Sequence, residues 1–352
     1  MRGYGERAGR GPMTERPSVA RIRDVAERAG VSVSTVSLVL NGRGKISPAT
    51  IARVRAAVTE LNYQPHHAAR NLASRQANTI GLLLPSATPV SDEFFSLFLA
   101  GVVEALRRDG FLLVLLPASA DARESALSLA QAAAAKRVDG VILLEVAPKD
   151  PRLQLLYERG VATALFGQTD LPMPWVDVDN FLGGKLAAEH LLELGHSRFV
   201  QLAAPHQFWY ATERRRGFAN AIRQRLGPAA AVTTIEAELT AEAAYRAARS
   251  AFAGPVPPTA IFAASDVMAR GVVEYARDHG LHVPRQLSVV GFDDTPLARW
   301  GSPALTSISQ DPHRVGVKVG QLLLRYLQDG RPGHEHVVPS ISVRASTGPP
   351  PG

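Results

Sequence analysis

Three charged residues fall where an open α/β sheet gathers its chemistry, just beyond the carboxyl ends of strands. Asp293 closes the apolar run LSVVGFD, Asp266 follows TAIFAAS at the opening of a helical pattern, and Arg214 begins the helical stretch 214–226. Asp266 suits a helix cap as well as a ligand contact. Trp209 and Tyr210 suit stacking on a ring and equally an exposed surface, whereas Arg215 and Arg216 read as solvent-facing. A second cluster is VSVSTVSLVLN, residues 31–41, in which short hydroxyls are interleaved with apolar side chains. Enzyme chemistry finds no support. The chain has no cysteine, no Gly-rich phosphate loop, no HExxH and no nucleophile elbow. Its neighbouring histidines, His66-His67 and the HEH at 334–336, lie in a linker or near the C-terminus. No catalytic residue, metal or cofactor is predicted.

The elements that would position these residues follow from periodicity. Ile22, Val25, Ala26 and Ala29 form an i, i+3, i+4, i+7 stripe closed by Gly30. The stretch 31–41 has the alternation of a strand, but a strand three residues after a helix has no partner nearby. Ser32 caps a second helix over roughly 33–40, with Val36, Val39 and Leu40 on one face and Asn41-Gly42 at its end. Ser47-Pro48 opens a third helix, which places Ile51, Val54, Val58 and Leu61 on one face. Two short helices joined by a tight Gly-containing turn form a helix-turn-helix.

Charge separates this segment from the rest. The chain of 352 residues carries a net charge of +7; residues 1–75 hold 13 Lys and Arg against 5 Asp and Glu, residues 76–352 hold 26 against 27. A small basic domain joined to a neutral body signals nucleic-acid binding. Residues 1–19 are Gly/Arg/Pro-rich and predict a disordered arm, within which Met13 is an alternative start. No apolar run reaches a membrane span and the N-terminus lacks a signal-peptide core, so a cytoplasmic, nucleoid-associated protein is expected.

From residue 79 the rhythm becomes strand–helix alternation. Apolar runs at 79–85, 111–117, 140–146, 161–167, 198–204, 259–265 and 287–294 are separated by helical patterns at 93–108, 122–136, 182–194, 214–226, 240–252 and 266–278. Such alternation predicts α/β architecture with parallel, doubly wound sheets, and a break near 180 predicts two lobes. A last helix at 312–328 and a strand near 337–343 remain to be shared. The predicted domains are a helix-turn-helix at 20–63, a hinge linker at 64–77 and a two-lobed domain at 78–352. Its first lobe takes about 78–180 and 310–330, and its second 181–309 and 331–345.

Residues 22–74 closely resemble the DNA-binding headpiece of the LacI (lactose/galactose repressor) family of bacterial transcription regulators. The signature D-V-A-x-x-A-G-V-S-x-x-T-V-S is present as Asp24 to Ser37. The resemblance runs on through DEFF (92–95), VDVDN…LGH (176–196), ERRRGF (213–218), SDVMARG (265–271), LSVVGFDD and LTSISQD (305–311), covering about 22–345. It implies an effector-responsive regulator, most often a repressor of a metabolic operon. It also implies a body like the periplasmic sugar-binding proteins, two lobes with a ligand between them.

The resemblance also distributes roles. The second helix would enter the major groove, with Val33, Ser34 and Leu38 reading bases and Thr35, Ser37 and Asn41 addressing phosphates. Leu38 departs from the family, many members of which carry Arg there; leucine offers only apolar contact, best with a thymine methyl. Ala69 and Leu72 would form the minor-groove hinge, Leu72 as wedge, with His66 and Arg70 near phosphate. In the body, Arg214, Asp293, Ser265 and Gln310 match effector-lining positions, with Phe94 or Phe95 as apolar wall; Asp266, at a strand end, is an effector contact or a helix cap. Gly167 stands where several sugar-binding relatives carry an acid, which leaves the effector's identity open. The implied partners are palindromic double-stranded operator DNA, a small-molecule effector and a second copy of the chain, with dimer and tetramer both open and no membrane.

Overall fold

The computed structural model describes residues 20–40, 44–63, 77–86, 92–230 and 232–351. The chain divides into two compact units, residues 1–75 and 76–352. The predicted arm and all of the hinge linker except Ala77 lie outside the described residues.

In the first unit, α1 (Ile22–Ala29), α2 (Val33–Leu40) and α3 (Pro48–Glu60) each begin and end where local chemistry dictates. Gly30, in the left-handed region at φ 63°, closes α1 by donating to Ala26 and Glu27 carbonyls. Ser47 caps α3 by accepting from Thr50 N–H, with Pro48 in the first turn. Val25, Val36 and Val54, one from each helix, are fully buried against each other with Ala26, Ala29, Ala57 and Tyr63.

The second unit holds two six-stranded sheets. Chain order supplies β1 (Thr79–Leu83), β2 (Leu112–Leu116), β3 (Gly140–Leu143), β4 (Thr163–Phe166) and β5 (Trp175–Val178), then β6 (Phe199–Ala203), β7 (Thr233–Glu236), β8 (Ala260–Ala263), β9 (Ser288–Asp293) and β10 (Thr306–Ser309). The last two strands are β11 (His334–Val337) and β12 (Ser340–Ser342). One sheet runs β11-β5-β4-β3-β1-β2 and the other β12-β10-β9-β8-β6-β7; every pairing is parallel except β10 with β12. Central strands such as β3, β8 and β9 are buried along their whole length, which is why they read as continuous apolar runs.

The sequence reading assigned all of 331–345 to the second lobe, and this needs correction. Residues 334–337 pair with β5 in the first sheet, and only β12 belongs to the second. The chain therefore crosses between lobes three times, at 178–180, 309–312 and 337–340. The strands β5, β7, β10 and β11 escaped periodicity because each is four residues long with polar side chains among the apolar ones.

Each lobe is braced by one close helix pair. In the first, α4 (Glu93–Arg108) crosses α12 (Pro312–Asp329); in the second, α7 (Asn180–Glu193) crosses α8 (Trp209–Leu226). Glycines bring the backbones together at both crossings. A Cβ on Gly101 would lie 2.0 Å from His313 O and one on Gly316 2.1 Å from Phe98 O; the counterparts are Gly184, 2.1 Å from Arg214 O, and Gly217, 1.9 Å from Phe181 O. The remaining helices are α5 (Ala122–Ala134), α6 (Pro151–Glu158), α9 (Ala241–Phe252), α10 (Asp266–Asp278) and the short α11 (Pro296–Trp300). No helix among the described residues is long and apolar enough to cross a membrane.

Candidate functional site

Each unit carries one site. On α2, Val36 is buried and Val39 and Leu40 are half-buried, so the helix is held from one side. The other side is open: Val33 is 42 % exposed, Leu38 is 40 % exposed and Ser34 is exposed between them. Thr35 and Ser37 flank that side, half-exposed. The capping residue Ser32 ties the start of the helix together: its Oγ accepts from Thr35 N–H at 3.1 Å and lies 2.7 Å from Ser34 Oγ and 2.9 Å from Thr35 Oγ1. Five of the residues assigned to DNA thus sit on one helix, while Asn41, Ala69 and Leu72 lie outside the described residues, as do His66 and Arg70.

In the second unit, a cleft of about 690 Å³ lies between the lobes. It is built where strands end: Phe166 ends β4, Asp177 lies at the end of β5, Ala264 follows β8, Asp293 ends β9 and Gln310 follows β10. Ligands of open α/β sheets bind at this position, beyond the carboxyl ends of the strands, and here two sheets face it.

Arg214, in the second turn of α8, is buried and forked. Its Nε donates to Asn180 Oδ1 at 2.9 Å and its Nη1 to Ala264 O at 2.7 Å. The guanidinium carbon lies 3.4 Å from the centre of the Phe292 ring and 4.9 Å from that of Tyr210. Burial lowers its pKa, and Asp293, Tyr210 and Asp177 oppose that shift. Asp293 accepts from Gln310 Nε2, and burial raises its carboxyl well above the ordinary range. Asp293 and Asp294 both adopt positive φ, 111° and 55°, a strained turn that aims Asp293 at the cleft.

Phe94, Arg214, Ser265, Asp293 and Gln310 line the cleft; Phe95 and Asp266 do not. Phe95 is the neighbour of Phe94 on α4 and turns into the core of the first lobe. Asp266 is buried behind the cleft, accepting from Thr295 N–H at 2.8 Å, Thr295 Oγ1 at 3.1 Å and Ser307 Oγ at 2.6 Å. It pins the turn that carries Asp293, while its neighbour Ser265 caps α10. Sequence reasoning gave no role to Asp92, Glu145, Asp177 and Phe166, which also line the cleft. Asp92 and Asp177 stood inside the quoted motifs DEFF and VDVDN; Glu145 was hidden at the end of an apolar run. Trp209 and Tyr210 line the cleft too.

Burial pushes Asp177 up to about 6, against hydrogen bonds from Val178 N–H, Gln168 and Asn180, and pushes Asp266 up to about 7. A carboxyl whose folded pKa exceeds its unfolded value favours the fold while protonated and loses that advantage as pH rises through the folded pKa. Wild type should therefore lose melting temperature relative to Asp177→Asn between about pH 4 and 7. Parallel thermal denaturation of the two proteins checks this; a pH-independent difference between them would count against it.

A helix-turn-helix headpiece joined to a two-lobed body with a cleft at its strand ends is the architecture of a DNA-binding regulator that senses a small molecule. Residues 21–66 match the family description "Bacterial regulatory proteins, lacI family", and residues 188–347 match "Periplasmic binding protein-like domain". The regulator CelR of Thermobifida fusca is 33 % identical over 307 residues, 85 % of this chain and 89 % of CelR. The repressor CytR of Escherichia coli is 32 % identical over 316 residues, 88 % of this chain and 91 % of CytR. Among solved structures, the lac repressor dimer bound to operator and the anti-inducer ONPF aligns with a TM-score of 0.84 at 28 % identity, covering 94 % of this chain and all of that one. A CelR–cellobiose complex aligns at 0.69 and 30 % identity, covering 93 % and 99 %. The chain belongs to the LacI family of bacterial transcription regulators.

Proposed function

We propose that the protein is a homodimeric repressor of a metabolic operon, whose affinity for a palindromic operator changes when a sugar or related metabolite binds between its lobes. The open face of α2 is the observation that supports it most: one buried valine holds the helix, and Val33, Ser34 and Leu38 face solvent in a unit of strongly positive charge. In this reading those three side chains read bases, while Thr35, Ser37 and Asn41 fix register on phosphates. Ala69 and Leu72 enter the minor groove, and Leu72 wedges a central base step. The relatives named for operator and for cellobiose support both partners. A hydrogen bond joins the two lobes: Leu297 N–H donates to Glu93 Oε2 at 2.6 Å. Effector and operator oppose each other reciprocally, so an inducer binds more weakly to the DNA complex.

Salt dependence tests the reading. With 6–10 phosphates neutralised, affinity for duplex DNA should fall by about 10³–10⁵ between 50 and 200 mM salt. Salt-independent DNA affinity would instead count against phosphate contacts by this chain. Leu38 carries a sharper prediction. Selection of binding sites by wild type and by Leu38→Arg should return different half-sites, the variant gaining a guanine preference worth about 1–3 kcal/mol at one position. Identical half-sites would remove Leu38 from base reading.

A further inference from the structure

We propose that the cleft accepts only ligands that donate hydrogen bonds and bear no anionic group, neutral polyhydroxyl compounds or amines, and that Asp92, Glu145 and Asp177 of the first lobe enforce this choice. The inference rests on reading the cleft as the effector site and goes beyond it by fixing the charge class of the effector.

The lining is unbalanced. Among the described residues, four carboxyl groups, Asp92, Glu145, Asp177 and Asp293, share the lining with a single guanidinium, Arg214. That guanidinium is already engaged with Asn180 and the carbonyl of Ala264, and its flat face rests on Phe292. Two of its five N–H donors are thus already committed within the protein. The first lobe contributes three of the acids and no base, so an anion seated against it would meet like charge on that side.

The second observation is independent of charge. Gln310 is 2 % exposed, its Nε2 is committed to Asp293, and its Oε1 meets no donor among the described residues. A buried acceptor without a partner is costly, and in a ligand cleft it selects a ligand that supplies the missing N–H or O–H. The first-lobe acids are held as acceptors by their own neighbours. Asp92 accepts from Phe94 N–H at 2.7 Å, Glu145 from Ser86 N–H at 2.8 Å and Asp177 from Gln168 Nε2 at 2.9 Å. Hydroxyls and ammonium groups can donate to every one of these oxygens, whereas fully ionised phosphates and carboxylates can only accept.

Matched probes test the proposal on the full-length protein: glucose with glucosamine and glucose 6-phosphate, cellobiose with cellobionate, and uridine with uridine monophosphate. Affinity is read from the ligand-induced shift in melting temperature. At least one neutral or amine probe should bind, its anionic counterpart at least tenfold more weakly, and the hydroxyl and amine arms show which donor is preferred. Glu145→Gln, and separately Asp92→Asn with Asp177→Asn, should narrow that gap. The proposal is overturned if an anionic probe binds as well as its neutral partner, if neither variant changes the ratio, or if no probe shifts the melting temperature at millimolar concentration. Operator binding by the same preparation separates the failures. Intact, salt-dependent DNA binding leaves the regulator standing when the charge rule falls; its loss removes both.

Discussion

Arg214→Met is expected to destabilise the two-lobed unit by about 3–5 kcal/mol, a fall of roughly 10 °C in melting temperature. Methionine fills much of the space, so the loss is electrostatic and polar rather than a cavity. Asn180 Oδ1 and the carbonyl of Ala264 lose their donor, and Asp293 and Asp177 lose the cation that opposes their burial. Acid should soften the defect, since Asp177, pushed up to about 6 by burial, takes up a proton at pH 5.5 and then needs no cation. Arg214→Lys should recover only part of the stability, because a compact ammonium cannot lie flat on Phe292 and serve two acceptors in plane. Thermal melts of the three proteins at pH 5.5 and 8.0 measure this. A defect of equal size at both pH values would show that Arg214 matters for packing alone.

Gly217→Ala should be comparably severe, by about 3 kcal/mol. Two effects oppose each other. Alanine is the better helix former by about 1 kcal/mol. Its methyl carbon, however, would stand 1.9 Å from Phe181 O and 3.0 Å from Lys185 N, and both are backbone atoms that no rotamer can move. Overpacking wins, and α7 and α8 must part. The damage spreads to the cleft, because the carbonyl of Arg214 meets Gly184 one turn away on the same crossing. The variant should melt lower and respond more weakly to whichever ligand stabilises wild type. Gly254→Ala, where an added Cβ meets nothing within 4 Å, is the control and should leave both unchanged.

Much of this was readable from residues, and the gaps have physical causes. The ambiguity of residues 31–40 resolved into a helix because Val36, with Val39 and Leu40 partly covered beside it, packs on one side, while Val33 and Leu38 stay exposed on the other. The central parallel strands were legible because both of their faces are covered. Polar strands such as β7 and β11 were not, since their pairing is supplied by neighbours distant in sequence. In the cleft, Arg214 and Asp293 were found from strand-end logic and resemblance. Asp266 was over-assigned, because a carboxylate after a strand looks alike from sequence whether it faces a ligand or pins a turn. Phe94 and Phe95 were left as a pair until the rotation of α4 separated wall from core. Glu145 was missed because it ends an apolar run and turns into the cleft through a left-handed backbone, φ 54°, that sequence does not announce.

The three crossings also fix an order of manufacture. Helix α4 leaves the ribosome with Phe95, Phe98, Val102 and Leu106 along one face, and the helix that crosses it begins at residue 312, about 200 residues later. At about 5–20 residues per second, that face waits roughly 10–40 s for its cover. The edge strand β11 arrives later still. The lobe begun first therefore cannot close until the second sheet is nearly complete, and of the second sheet only β12 follows β11.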